Sequence, residues 1–301
     1  MSVFTGIWVP LVTPFAAGQV DHAALRRLVT FYATQPLGGL VVLGSTGEAA
    51  ALDAAEQEAV LDTVLACCGG MPVVVGLAGN HLGQVKARLS RFAQRPVAGI
   101  LIPAPYYTRP AQAGLLAWFT ELADHSPVPL ILYDIPYRTG VRLELATLLA
   151  LAGHPNIRAI KDCGGSSETT RALIADGRLQ VLAGEDAAIF STLCMGGSGA
   201  IAAAAHIHPR LLCALYTAVR EQRLEAARAL HHALAPLLAA LFSEPNPAPL
   251  KALLAAEGWL CNELRLPMTP ASLLLAPHLL ALAHQLAGHP ALAGEVMASF
   301  A

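Results

Sequence analysis

Lysine is nearly missing from this chain: it has three, at Lys86, Lys161 and Lys251, in 301 residues, while the other 16 basic side chains are arginines. Charge of any kind is scarce at 13%, the formal net charge is -2, and no run of Lys or Arg occurs. Without a basic stripe there is no footprint for a phosphate backbone, so no nucleic acid is expected as a partner. The six cysteines, Cys67, Cys68, Cys163, Cys194, Cys213 and Cys261, make no CxxC and no Cys/His pair at ligand spacing. They read as reduced, mostly buried thiols, and with no HExxH either, no metal site is expected. No GxGxxG or Walker-type segment follows a strand candidate, which excludes the common dinucleotide and phosphoryl chemistries.

The start, MSVFTGIWVPLVTPF, lacks the basic opening and small-residue cleavage site of a secretory signal, so a cytoplasmic protein is expected. Residues 266–294 carry no formal charge, yet Pro267, Pro270, Pro277, His278, His284, Gln285, His289 and Pro290 interrupt them. A membrane span needs roughly 20 uninterrupted apolar residues, so this stretch is expected to pack in a core or between subunits and not in a membrane.

What is abundant is apolar: 55% of residues, mainly Ala and Leu. That is more apolar surface than a monomer easily hides, and a homo-oligomer is expected. Short β-rich runs alternate with longer segments of helical period. Eight such units follow one another, with strands expected at residues 6–13, 39–43, 73–77, 99–102, 130–133, 157–161, 180–183 and 199–202. Asp53 with Glu56 three residues on marks one helix start, and Thr108, Arg109 and Pro110 mark another. The expected fold is an α/β (β/α)8 TIM barrel over residues 1–222, with a C-terminal helical extension over 223–301 packed on it. An open doubly wound sheet more often has five to seven strands. The polar residues at the strand ends also gather as a barrel mouth requires: Thr13, Ser45, Thr46, Asn80, Tyr106, Tyr107, Tyr133, Asp134, Lys161, Asp162, Glu185 and Asp186.

Lys161 ends the apolar run Ile157, Arg158, Ala159, Ile160, where its amine is expected to be partly desolvated. Burial disfavours the cation, and a neutral amine attacks carbonyls. The same lysine can equally be a buried ion pair with Asp162 or Glu185. Tyr133 ends the neighbouring strand, either as packing or as a proton donor and acceptor. Ser45 and Thr46 lie in the turn GSTGE, whose hydroxyls and N–H groups can hold a carboxylate, as those of any tight βα turn can. Arg138, in YDIPYRTG, either meets a substrate carboxylate or lies on the surface. Tyr106 and Tyr107 place aromatic contacts at the mouth or across a subunit boundary.

Together GSTGE, PYYTRP, LYDIPYRTG and IKD, in this order, resemble the pyruvate-dependent class I aldolase family, which includes dihydrodipicolinate synthase and N-acetylneuraminate lyase. The likeness runs nearly end to end, and FSEPNPAPLKALL and LRLPMTP resemble the synthase branch. The resemblance implies a covalent imine between Lys161 and pyruvate, with no cofactor, and attack of the derived enamine on L-aspartate 4-semialdehyde to give 4-hydroxy-tetrahydrodipicolinate for lysine and diaminopimelate biosynthesis. It makes Tyr133 the hub of a proton relay, hydrogen-bonded to Thr46 and completed by Tyr107 from a neighbouring subunit of a homotetramer. Ser45 and Thr46 then hold the pyruvate carboxylate, Arg138 meets the aldehyde's carboxylate, and Ile201 lines the pyruvate pocket.

The chain departs from the synthase pattern at Asp134, usually Asn, at Asp162 and Cys163, usually Glu and Ala, and at Tyr137, usually small. These changes bear on the aldehyde, and the alternative is another pyruvate-dependent aldolase or lyase acting on a sugar acid or a related 2-oxo acid. Asn80 and Tyr106 match the lysine-feedback site of the family, but Ala54, Gln57 and Gln84 stand where inhibited members carry two histidines and a glutamate. Inhibition by lysine is therefore expected to be weak or absent.

Overall fold

The computed structural model describes residues 4–292. Eight parallel strands close into a barrel: β1 (Gly6–Pro10), β4 (Gly39–Val42), β5 (Val73–Gly76), β6 (Gly99–Pro103), β7 (Leu130–Asp134), β8 (Ile157–Asp162), β9 (Gln180–Ala183) and β10 (Gly199–Ile201). β10 pairs back onto β1, with Trp8 opposite Ile201. Two further strands, β2 (Phe15–Ala16) and β3 (Gln19–Val20), form a small antiparallel hairpin just beyond β1. All eight expected strands are barrel strands, whereas the hairpin escaped the sequence reading.

Buried aliphatic runs such as GLVV and VVVG suit strands that are covered on both faces. One face fills the barrel, where Trp8, Val41, Val74, Leu101, Ile131, Ala159, Leu182 and Ile201 form one cluster. The other face packs under the surrounding helices in a larger apolar core. Asp53 and Glu56 do form a reciprocal capping box at the start of helix Ala54–Cys67. The second expected start falls two residues early: the helix is Gln112–His125, and the segment before it runs through Tyr107 (φ 71°) and Arg109 (φ 46°), left-handed backbone that cannot open a helix.

Helix Pro209–Arg220 closes the last barrel unit, and helices Leu224–Leu241, Ala248–Ala256 and Leu275–Ala287 follow it. Leu224–Leu241 packs against Pro209–Arg220, and Leu275–Ala287 packs against both other helices of the extension. Among the described residues no helix is long and apolar enough to cross a membrane. The thiols are less buried than expected: Cys68, Cys163 and Cys213 are buried, Cys67 is half-buried, and Cys194 and Cys261 are exposed.

Candidate active site

Whether Lys161 and Tyr133 meet depends on one irregularity in the sheet. β7 and β8 begin in register with Leu130 opposite Ile157, but the register shifts by one residue, so that Ile131 faces Ala159 and Tyr133 faces Lys161. Had the first pairing continued, Tyr133 would stand opposite Ile160, whose side chain points to the other face, because side chains alternate along a strand. The extra residue is Arg158, which is exposed while its neighbours are buried. A bulge here therefore aims both functional side chains into the barrel mouth.

Ser45, Thr46, Tyr133, Arg138, Lys161 and Ile201 all line one cavity of about 610 Å³ at the C-terminal ends of the strands. Tyr107 does not: its side chain is 90% exposed and its backbone N–H donates to the Thr139 carbonyl oxygen at 3.2 Å. The cavity also takes in Tyr137, Glu185, Asp186, Phe242, Asn246 and Met268, which come from the loops after β7 and β9 and from the C-terminal extension.

Lys161 is 5% exposed, with its Nζ 4.5 Å from the centre of the Tyr133 ring. Among the described residues no ion pair joins it to Asp162 or Glu185. Asp162 instead accepts from the Gly164 N–H at 2.9 Å and from the Thr170 hydroxyl at 2.5 Å. The expectation of an amine held neutral by burial needs correcting. Burial does push Lys161 down, but the Tyr133 and Cys163 side chains and the Asp186 carboxylate push it up, and the balance lies above lysine's ordinary value. The resting amine is thus an ammonium beside a phenol.

Burial raises Tyr133, opposed by the Lys161 cation, a hydrogen bond with Ser45 and the Arg138 guanidinium, with Cys163 adding to the rise. Asp186, fully enclosed, is pushed up to about 6 by burial, against the pull of the Ala204 and Ala203 N–H groups it accepts at 2.6 and 3.1 Å. Each Asp186 oxygen thus accepts one backbone N–H.

The turn carrying Ser45 and Thr46 is bounded by Leu43 and Glu48, both left-handed (φ 58° and 50°). Gly47 is needed where it stands, since a Cβ there would lie 2.9 Å from the Leu11 carbonyl oxygen. The extension then clamps the turn from outside. Asn246 Nδ2 donates to Thr46 Oγ1 at 2.9 Å, Lys251 Nζ pairs with Glu48 Oε1 at 2.5 Å, and the Arg265 N–H donates to Glu48 Oε2 at 3.1 Å. Arg138 is exposed at the rim, 5.8 Å from the centre of the Tyr137 ring, and one Nη donates to the Asn246 carbonyl oxygen at 3.4 Å.

Sequence reasoning missed Asn246 and Lys251 as parts of this assembly, and it placed Asp186 at the mouth without a role. The available signal for Asn246 was a polar residue held between Pro245 and Pro247. The arrangement supplies an amine beside a phenol at the closed end of a cavity, hydroxyls and N–H groups on one wall and a guanidinium at the rim. That set is suited to imine chemistry on a small oxo acid.

The sequence matches the dihydrodipicolinate synthetase family over residues 3–286. It is 38% identical over 275 residues to a 4-hydroxy-tetrahydrodipicolinate synthase of Syntrophobacter fumaroxidans, covering 90% of this chain and 94% of that one. Its fold superposes on the 4-hydroxy-tetrahydrodipicolinate synthase of Methylacidiphilum fumariolicum with a TM-score of 0.91 at 31% identity, over 94% of this chain and 97% of the other. It superposes equally well on a chloride-inhibited dihydrodipicolinate synthase of Acinetobacter baumannii complexed with pyruvate, with a TM-score of 0.90 at 30% identity over 93% and 99%.

Proposed function

This chain belongs to the dihydrodipicolinate synthetase family, and we propose that it condenses pyruvate with L-aspartate 4-semialdehyde to 4-hydroxy-tetrahydrodipicolinate, for lysine and diaminopimelate biosynthesis, through an imine on Lys161. The observation that carries the reading is the pairing of Lys161 with Tyr133 at the closed end of a cavity that also holds Ser45, Thr46 and Arg138.

Lys161 enters as an ammonium and sheds its proton through the Tyr133 oxygen. The amine attacks the pyruvate carbonyl carbon, Tyr133 protonates the departing hydroxyl, and one water leaves as the imine forms. Loss of a methyl proton gives the enamine, whose carbon bonds to the aldehyde carbon while the aldehyde oxygen takes a proton. Because the product is a ring containing nitrogen, the semialdehyde's own amine closes it by displacing Lys161. No cofactor is required, because the protonated imine on Lys161 takes up the electron pair left by the methyl proton.

Ser45 and Thr46 hold the pyruvate carboxylate, Ile201 packs against its methyl group, and Arg138 meets the carboxylate of the aldehyde. Thr46 accepts from Asn246, which leaves its O–H free to donate toward Tyr133 or the substrate. Tyr107, held outward, extends the relay into the site of a second copy within a homotetramer. The enzyme works in the cytoplasm. Turnover with pyruvate plus aspartate semialdehyde, well above that with a panel of 2-oxo sugar acids, is the expected result. Turnover of the sugar acids alone would replace this reading with that of another pyruvate aldolase.

A further inference from the structure

Glu185 follows β9 and lines the same cavity as the rim guanidinium, yet it serves nothing described so far. Its Oε1 is sealed from solvent and has no hydrogen-bond partner. A carboxylate oxygen is acceptor-only, and burying one unpaired is costly, so such atoms in folded proteins normally have a donor. No ion pair among the described residues joins Glu185 to Lys161 or to any arginine. Its other oxygen has only a weak donor, the thiol of Cys163, which burial pushes up and to which the Glu185 charge and hydrogen bond add. Tyr137 feels both charges. Burial raises its phenol, the Glu185 carboxylate raises it further, and a hydrogen bond with Arg138 lowers it. Tyr137, the Arg138 guanidinium and a carboxylate with one bare oxygen thus line the same cavity.

We propose that Glu185 binds the α-ammonium of the aldehyde substrate while Arg138 binds its carboxylate, so that the site selects an amino-acid aldehyde over aldehydes without an amine. This rests on the proposed imine chemistry at Lys161 and sharpens it, because it names the group by which the second substrate is recognised. A site built around a charged hydrogen bond rejects a ligand lacking the matching donor far more strongly than an apolar pocket rejects a missing methylene, since the buried acceptor is then left bare. Glu185 thereby does what Tyr137, an aromatic wall, cannot.

The test compares aspartate 4-semialdehyde with succinate semialdehyde, the same aldehyde without the amine, each offered with pyruvate to the wild-type enzyme, Glu185→Gln and Glu185→Asp. Condensation rates at low aldehyde, competition between the two aldehydes, and borohydride trapping of pyruvate are recorded for each. The wild type is expected to prefer the amino aldehyde. In Glu185→Gln that preference falls ten- to hundredfold, mostly through KM, while pyruvate trapping and the affinity for succinate semialdehyde stay within about twofold, as expected for loss of one charge-assisted hydrogen bond. Glu185→Asp recovers part of the preference.

A wild type without preference for the amine, or a Glu185→Gln variant that keeps it, overturns the inference. Equal losses for both aldehydes overturn it too, because they mark a merely structural glutamate. Failure of the underlying reading looks different: no borohydride-trapped pyruvate on the wild type with either aldehyde.

Discussion

Two of the three lysines are buried, and they lead opposite lives. Lys251, wholly enclosed in helix Ala248–Ala256, pairs with Glu48 at 2.5 Å, donates to the Glu263 carbonyl oxygen at 2.9 Å and sits 4.2 Å from the centre of the Phe15 ring. Burial and the nearby Arg265 pull it below lysine's ordinary value, against Glu48 and Glu263. No ion pair joins Lys161 to a carboxylate among the described residues; the Tyr133 phenol, the Cys163 thiol and, to a lesser degree, the Asp186 carboxylate raise it. Burial alone therefore does not make a lysine reactive. In the proposed reaction the partner decides: a fixed carboxylate makes an anchor, and a phenol lining the cavity makes a nucleophile.

The sharpest way to break that contrast is to remove the phenol. Tyr133→Phe keeps the ring under Lys161 but deletes the proton carrier, and kcat is expected to fall by about 10²–10⁴-fold, the range for lost general acid–base catalysis, with the fold intact by circular dichroism. Unchanged kcat would mean that the proton takes another path.

Lys251→Met probes the other lysine. It strands Glu48 as a buried, unpaired carboxylate and is expected to cost about 3–5 kcal/mol in urea unfolding. The double variant Lys251→Met with Glu48→Gln should recover much of this loss. Because Glu48 closes the turn that carries Ser45 and Thr46, the single variant should also raise the KM for pyruvate.

A third buried charge lies one residue beyond Tyr133. Asp134 accepts from the Leu143 N–H at 3.0 Å, and a Cβ built on Gly164 would meet its free oxygen at 2.5 Å and an oxygen of Asp162 at 3.2 Å, so the two carboxyl groups flank that glycine. Burial pushes Asp134 up to about 6 from 3.8, the N–H opposing and Asp162 reinforcing. A carboxyl raised in the folded state contributes stability below its unfolded value and loses it as pH rises through the folded one. Stability should therefore fall between pH 4 and 6, by on the order of 2–3 kcal/mol from this group. Asp186, also at about 6, and Glu257, at about 7, act with the same sign. Asp134→Asn keeps the acceptor for Leu143 and should flatten the slope and stabilise the protein at pH 7.5, as read by thermal melting across pH.

The smallest effect concerns lysine as a ligand. Gln57 is already committed, donating to the Ala49 and Leu52 carbonyl oxygens and accepting from Arg88 at 2.5 Å, while Asn80 and the Tyr106 backbone satisfy each other. A guanidinium thus occupies ground where a second cation would need a carboxylate. A lysine titration is expected to leave turnover nearly unchanged, and strong inhibition would refute this.

The barrel was legible because fully buried strands read as short aliphatic runs, and seven of the eight runs had polar residues at or just beyond their ends. The hairpin of β2 and β3 was not, since two-residue strands are too short to show a period. The helix expected at Pro110 starts late because left-handed backbone at Tyr107 and Arg109 has no distinct mark in sequence. Lys161 and Tyr133 stood out at strand ends, but their meeting depends on a bulge at Arg158 that alternation alone does not reveal. Lys251 looked like an ordinary helical lysine because Ala248–Ala256 is buried nearly all round, and nothing local says which face of a helix meets solvent. The protonation of Lys161 was misread for the same reason: burial can be inferred from a strand, whereas the phenol and carboxylate that oppose it arrive from elsewhere in the chain.

The most direct test of the contrast is peptide mapping by mass spectrometry after borohydride reduction in the presence of pyruvate. A reduced pyruvyl adduct on the peptide carrying Lys161, with none on the peptide carrying Lys251 and none anywhere in Lys161→Ala, is the predicted result. An adduct on Lys251, or an unmodified Lys161 at saturating pyruvate, would contradict it.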